Sequence, residues 1–214
     1  MESRNNTARA LVRFAAVAAA SLAAASIWAQ NPQHAGDGYM LDAETWQLEV
    51  NNGGTLPWPA DGWWRLVPQD RNIEVRPVKP GDGSMVPADA IYLRMPGVTL
   101  QPGMRRAYRH IEVLQQPRFG QDYELTLGTT RFSLRVDTGH NGIEYAIGYG
   151  GQTYVYPLGA YEGVRTSVRA VADLDGDTQP DFLVDVDDAT YLLLSTQARP
   201  GANAPTAELW AHGC

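Results

Sequence analysis

Cysteine and lysine are almost missing from this sequence: its 214 residues hold one of each, Cys214 and Lys79. One cysteine cannot form a disulfide within the chain, so stability must come from a core or a bound ion, and Cys214 is either a free terminal thiol or a partner for a cysteine of another chain. Histidine is scarce too. His34, His110, His140 and His212 are scattered and show no zinc spacing. A Gly-x-Ser-x-Gly elbow is lacking, so Asp137 with His140 does not complete a Ser-His-Asp set. Positive charge is in deficit, with 17 Lys and Arg against 24 Asp and Glu and a net charge of −7. Nucleic-acid binders need clustered cations to displace counterions, which excludes a nucleic-acid partner.

Long apolar runs are confined to the start. Residues 1–29 carry Arg4, Arg9 and Arg13 and then an Ala-rich run from Phe14 to Ala29. A basic start, a short apolar core and a small residue at its end predict a cleaved secretory signal peptide, 1–29, rather than an anchor helix. The expected location is periplasmic or secreted, with no transmembrane span once the peptide is removed.

Long helical periodicity is absent from the remainder. Gly and Pro are frequent, and short runs rich in Val, Ile, Leu and Tyr predict strands. Among them are "TWQLEV" (45–50), "WWRLV" (63–67), "IEVRPV" (73–78), "AIYLRM" (90–95) and "HIEVL" (110–114). "YELTLGTTRFSLRV" turns at Gly128-Thr129-Thr130, and "IEYAIGYGGQTYVYPL" turns at Gly150-Gly151. Together they predict a four-strand meander over 123–158. Short helices are expected at most near Ser195–Ala198 and in "PTAELWAH". The fold class is mainly β, with antiparallel meander or sandwich-like sheets, little helix and an Asp-rich calcium loop towards the C-terminus. Two β-rich regions, 30–118 and 119–214, are divided at "QQPRFGQ" (115–121), or they form one continuous domain.

The densest feature is "VADLDGDTQPDFLVDVDD", Val171 to Asp188, in which seven of eighteen residues are aspartate. In "DLDGDTQPD", Asp173, Asp175, Asp177 and Asp181 take the first, third, fifth and ninth places, and Gln179 can offer a backbone carbonyl at the seventh. Alternate residues of a tight turn point inward, and convergent oxygens suit Ca²⁺, which takes six to eight. An EF-hand is ruled out: its twelfth place holds Val184 rather than Glu, and a strand-like run follows. The segment resembles the calcium loop of FG-GAP/VCBS-type repeats, found in integrin-like β-propellers. Asp173, Asp175, Asp177 and Asp181 match the ligand positions, and Gly176 and Pro180 match the turn. Thr178 stands where the pattern usually has Gly. The resemblance implies one structural Ca²⁺ held by Asp173, Asp175, Asp177, Gln179 and Asp181. Four or more propeller blades would nearly exhaust the chain, so a complete propeller is not expected. The tail through "TYLLLSTQARPG" to the terminal Gly-Cys resembles exported bacterial proteins with one such motif near their end, which implies an envelope location and no particular reaction.

Other stretches carry weaker chemistry. Asp137-Thr138-Gly139 matches the tripeptide of aspartic proteases, but only one copy is present, and a hairpin loop is the preferred reading. Arg105, Arg106 and Arg109 beside His110 form a basic patch expected to be a solvated strand edge. Trp58, Trp63 and Trp64 are expected to fill core rather than to stack on sugars. These observations favour a non-enzymatic, exported, calcium-holding protein with a protein or glycan partner. A periplasmic or secreted hydrolase or glycan-active protein is the alternative.

Overall fold

A computed structural model describes residues 38–54, 57–108, 112–139, 142–158 and 165–210. The signal-peptide reading, all four histidines, Arg109 and Cys214 lie outside them. The fold is mainly β. Nine strands close a barrel: β1 (Tyr39–Asp42), β2 (Trp63–Gln69), β3 (Asn72–Val78), β4 (Ile91–Arg94), β5 (Gly103–Tyr108), β10 (Thr166–Ala172), β11 (Asp181–Val186), β12 (Ala189–Leu193) and β14 (Ala207–Trp210). The other five form a second sheet: β6 (Asp122–Leu127), β7 (Thr130–Gly139), β8 (Gly142–Tyr149), β9 (Gln152–Leu158) and β13 (Gly201–Ala202). The expected meander is therefore present as β6 to β9. Two pairings are parallel, β1 with β14 and β9 with β13, so the sheets are mixed rather than purely antiparallel. The barrel takes strands from both sides of residue 118.

Strand alternation sets the cores. On β11, Phe182, Val184 and Val186 pack with Phe132, Leu134, Tyr145 and Ile147 of the second sheet, whereas Leu183 faces the barrel interior with Leu66, Ile73 and Leu93. On β10, Val168 and Val171 share the sheet-facing side although they are three residues apart. The register shift between Val168 and Ala170 supplies the extra residue that makes this workable. A third cluster covers another flank of the barrel, where Trp46 stacks on Tyr92 at 4.3 Å and meets Trp63 edge-on at 4.9 Å. Trp63 is core, as expected, and Trp58 and Trp64 are half-buried against the clusters.

Several local expectations are corrected. "TWQLEV" is not a strand: helix α1 (Ala43–Thr45) runs into a π-helical turn, Trp46–Asn51. Its apolar residues alternate in sequence, but Trp46 and Val50 are buried four apart while Leu48 is 55 % exposed, which is helical spacing. Asp42 starts this element by accepting from Thr45 N at 2.7 Å, an N-cap. "HIEVL" ends in a short helix, α2 (Glu112–Gln115), instead of a strand. "AELW" is strand β14, not helix, and it closes the barrel. Asp137 lies within β7, paired to Glu144, rather than in a loop.

Candidate metal centre

The Asp-rich segment joins β10 to β11 at one end of the barrel. One ligand oxygen each from Asp173, Asp175 and Asp177 lies within 4.8 Å of the others, an arrangement that can hold a metal ion. The convergence follows from local hydrogen bonding. Gly176 N donates to Asp173 Oδ1 at 2.7 Å, Asp177 N to Asp175 Oδ1 at 3.3 Å and Gln179 N to Asp177 Oδ1 at 2.7 Å. Each carboxylate thus folds back over the backbone two or three residues ahead and keeps its other oxygen for something else. Two features favour glycine at 176. Its φ is +85°, and a Cβ there would run into the Gln101 amide.

Asp181 occupies a different place. It is 1 % exposed, and both its oxygens serve the protein: Oδ2 accepts from Leu174 N at 2.7 Å, and Oδ1 accepts from Ser195 N and Oγ at 2.8 and 2.9 Å. It ties the two ends of the loop to the exit of β12. Burial pushes its carboxyl well above the usual carboxylate range, Asp175 adds to the rise, and the Ser195 and Leu174 donors oppose it. Burial likewise raises Asp175, with Asp177 and Asp173 contributing and the Thr196 hydroxyl opposing. Among the described residues no Arg or Lys forms an ion pair with any of the four aspartates. Gln179 Oε1 is buried with no hydrogen-bond partner among the described residues, an acceptor that water or a cation would satisfy.

Three groups that sequence reasoning missed complete the cradle. Ser195 Oγ reaches Asp177 Oδ2 at 2.9 Å, Thr196 Oγ1 donates to Asp175 Oδ2 at 2.6 Å, and Thr130 Oγ1 donates to the Thr178 carbonyl at 2.8 Å. The signal for Ser195 and Thr196 lies in register. β11 pairs with β12 with Phe182 opposite Leu193, so the hydroxyls just past β12 must fall beside the residues just before β11. The loop also leans on the second sheet. Burial raises the Tyr156 hydroxyl to about 12 with help from the Asp181 charge, and the Tyr149 hydroxyl is raised in the same way.

Thr178 sits at φ +71°, a left-handed conformation that favours glycine over a β-branched residue. Thr178→Gly is expected to stabilise the fold by about 1 kcal/mol, relief of a strained β-branched residue outweighing the extra freedom of the unfolded chain. Urea denaturation checks this, and a lower midpoint would contradict it.

The weaker candidates do not gather into a site. Asp137 is engaged by Arg135, whose Nε is 2.6 Å away, and no second Asp-Thr-Gly exists to share a proton with it. Arg105 is tied to Gln101 and to the Pro102 carbonyl, while Arg106 is exposed. Among the described residues no helix is long and apolar enough to cross a membrane. Comparison with protein-family models, with curated proteins and with solved structures found no match to this chain.

Proposed function

We propose that this chain is an exported β-rich protein that acts by binding or by supporting the envelope, not by catalysis, and that its β10–β11 loop holds one structural Ca²⁺. The ion would be held by Asp173, Asp175 and Asp177 with the Gln179 carbonyl, while Asp181, expected from the sequence as a further ligand, would anchor the loop from behind through Leu174 N and Ser195. The observation that carries this is the convergence of three carboxylates within 4.8 Å. At that spacing each pair repels by about 3 kcal/mol at an effective dielectric near 20, and no described Arg or Lys is ion-paired with any of the three. The donors are all hard oxygens. That chemistry favours Ca²⁺ over transition metals, and an irregular turn suits Ca²⁺ better than Mg²⁺, which demands a near-ideal octahedron. The resemblance to FG-GAP/VCBS-type loops supports the same ion.

Stepwise Ca²⁺ added to metal-stripped protein is expected to raise Tm by roughly 5–10 °C at about a hundredfold excess over Kd, with Mg²⁺ far less effective. Asp177→Ala is expected to melt lower, having lost the Ser195 and Gln179 contacts, and to show no Ca²⁺ response. An unchanged Tm in wild-type protein proven metal-free at the start would refute the site.

A further inference from the structure

β10, β11 and β12 run from the Asp-rich loop to the opposite end of the barrel, and there they open into a cleft of about 890 Å³. The row that faces the barrel interior at Leu183 on β11 and Leu192 on β12 turns polar at this end: it continues at Asp185 and Thr190, and Ser167 lies opposite Asp185 on β10. The cleft is therefore an open depression with polar walls at the barrel mouth, a common place for small-ligand sites.

The Asp185 carboxylate is set in place on three sides. Thr190 Oγ1 donates to Oδ1 at 2.6 Å, and Ser167 Oγ and Arg169 Nε approach Oδ2 at 3.4 and 3.6 Å. Beside it the Arg165 guanidinium has no ion-pair or hydrogen-bond partner among the described residues, and the exposed Gln116 amide lines the wall. Phe119, 49 % exposed, supplies an aromatic face. The turn beneath is strained: Asp187 sits at φ +52°, held where Arg165 N meets its Oδ1 at 3.3 Å and its own N donates to the Arg165 carbonyl at 2.9 Å.

The wall carries two guanidinium groups, Arg165 and Arg169, against three carboxylates, Asp185, Asp187 and Asp188. Near balance disfavours a strongly anionic or cationic ligand. Planar carboxylate, guanidinium and amide groups offer paired donors and acceptors, which match neighbouring hydroxyls on a ring. An exposed phenyl ring can cover the apolar face of such a ring. The geometry points to a carbohydrate: we infer that the barrel mouth formed by Arg165, Arg169, Asp185, Gln116 and Phe119 binds a small neutral saccharide. This goes beyond the calcium loop and uses none of its residues.

Saturation-transfer NMR and calorimetry on the full chain test it, with maltotriose, cellotriose, chitotriose and mannotriose as probes and inorganic phosphate as counter-probe, in Ca²⁺ and in EDTA. At least one trisaccharide is expected to saturate the protein at micromolar to millimolar concentration. Phe119→Ala and Arg165→Ala, both on exposed side chains, are expected to weaken it by about tenfold each with Tm unchanged. Asp177→Ala, tested with Ca²⁺ present, is expected to bind as wild type does, which keeps failure here distinct from failure of the metal site. The inference is overturned if no trisaccharide binds in the millimolar range, if binding is indifferent to both cleft variants, or if phosphate alone saturates the cleft.

Discussion

Asp181→Ala is expected to lower the stability of the fold by about 3–5 kcal/mol, the largest loss from any single change in the loop. The carboxylate is 1 % exposed and accepts three hydrogen bonds, from Leu174 N, Ser195 N and Ser195 Oγ. Truncation strands two backbone N–H groups, and each buried unpaired donor costs about 1–3 kcal/mol. It also leaves a void between the start of the loop and the exit of β12. Removing a costly buried charge returns part of that loss, which keeps the expected total below the sum of the lost contacts. Asp181→Asn retains one acceptor of the right shape and is expected to lose roughly half as much. Urea denaturation of both variants checks the ordering. An Asp181→Ala protein as stable as wild type would mean that the loop is not anchored through this residue.

Phe182→Ala is expected to cost about 3–5 kcal/mol by a different route, the loss of packing between the two sheets. Phe182 is the first sheet-facing residue of β11, is 1 % exposed and meets Phe132 of β7 edge-on, with ring centroids 5.7 Å apart. Its removal opens a cavity between rigid strands, which collapse poorly. Both sheets should loosen together, since Val168, Val171 and Val184 share that contact with Leu134 and Tyr145. The unfolding transition followed by far-ultraviolet circular dichroism and by tryptophan fluorescence should stay single and move to lower denaturant. Two separated transitions would contradict the shared core.

The Asp-rich loop was legible because its chemistry is written in local spacing. Three aspartates at alternate positions, with Gly176 between them, determine where their oxygens go, and the structure brings those three together. The fourth, Asp181, was legible as part of the group but not as the buried tie between Leu174 and Ser195, because its partner lies fourteen residues away. The meander over 123–158 was legible for the same local reason, strand alternation broken by glycine turns.

The barrel was not. Its closure depends on β14 pairing in parallel with β1, a contact between distant segments that no local pattern announces. β5, "GMRRAY", places only Ala107 in the core and so lacks the alternation that marks a strand. "TWQLEV" satisfies period two and period four at once, and only packing of Trp46 on Tyr92 decides between them. The polar barrel mouth was hidden because Asp185 and Thr190 read as strand and turn polarity until register sets them side by side.

The measurement that tests the central claim most directly is a count of Ca²⁺ bound per chain, by equilibrium dialysis of metal-stripped protein at about 1 mM free Ca²⁺, within the range of extracellular calcium modules. The account predicts one ion per chain on wild-type protein and none on a variant carrying both Asp173→Asn and Asp177→Asn that circular dichroism shows to be folded. No bound Ca²⁺ on folded wild-type protein, or an equal count on the folded double variant, would contradict it.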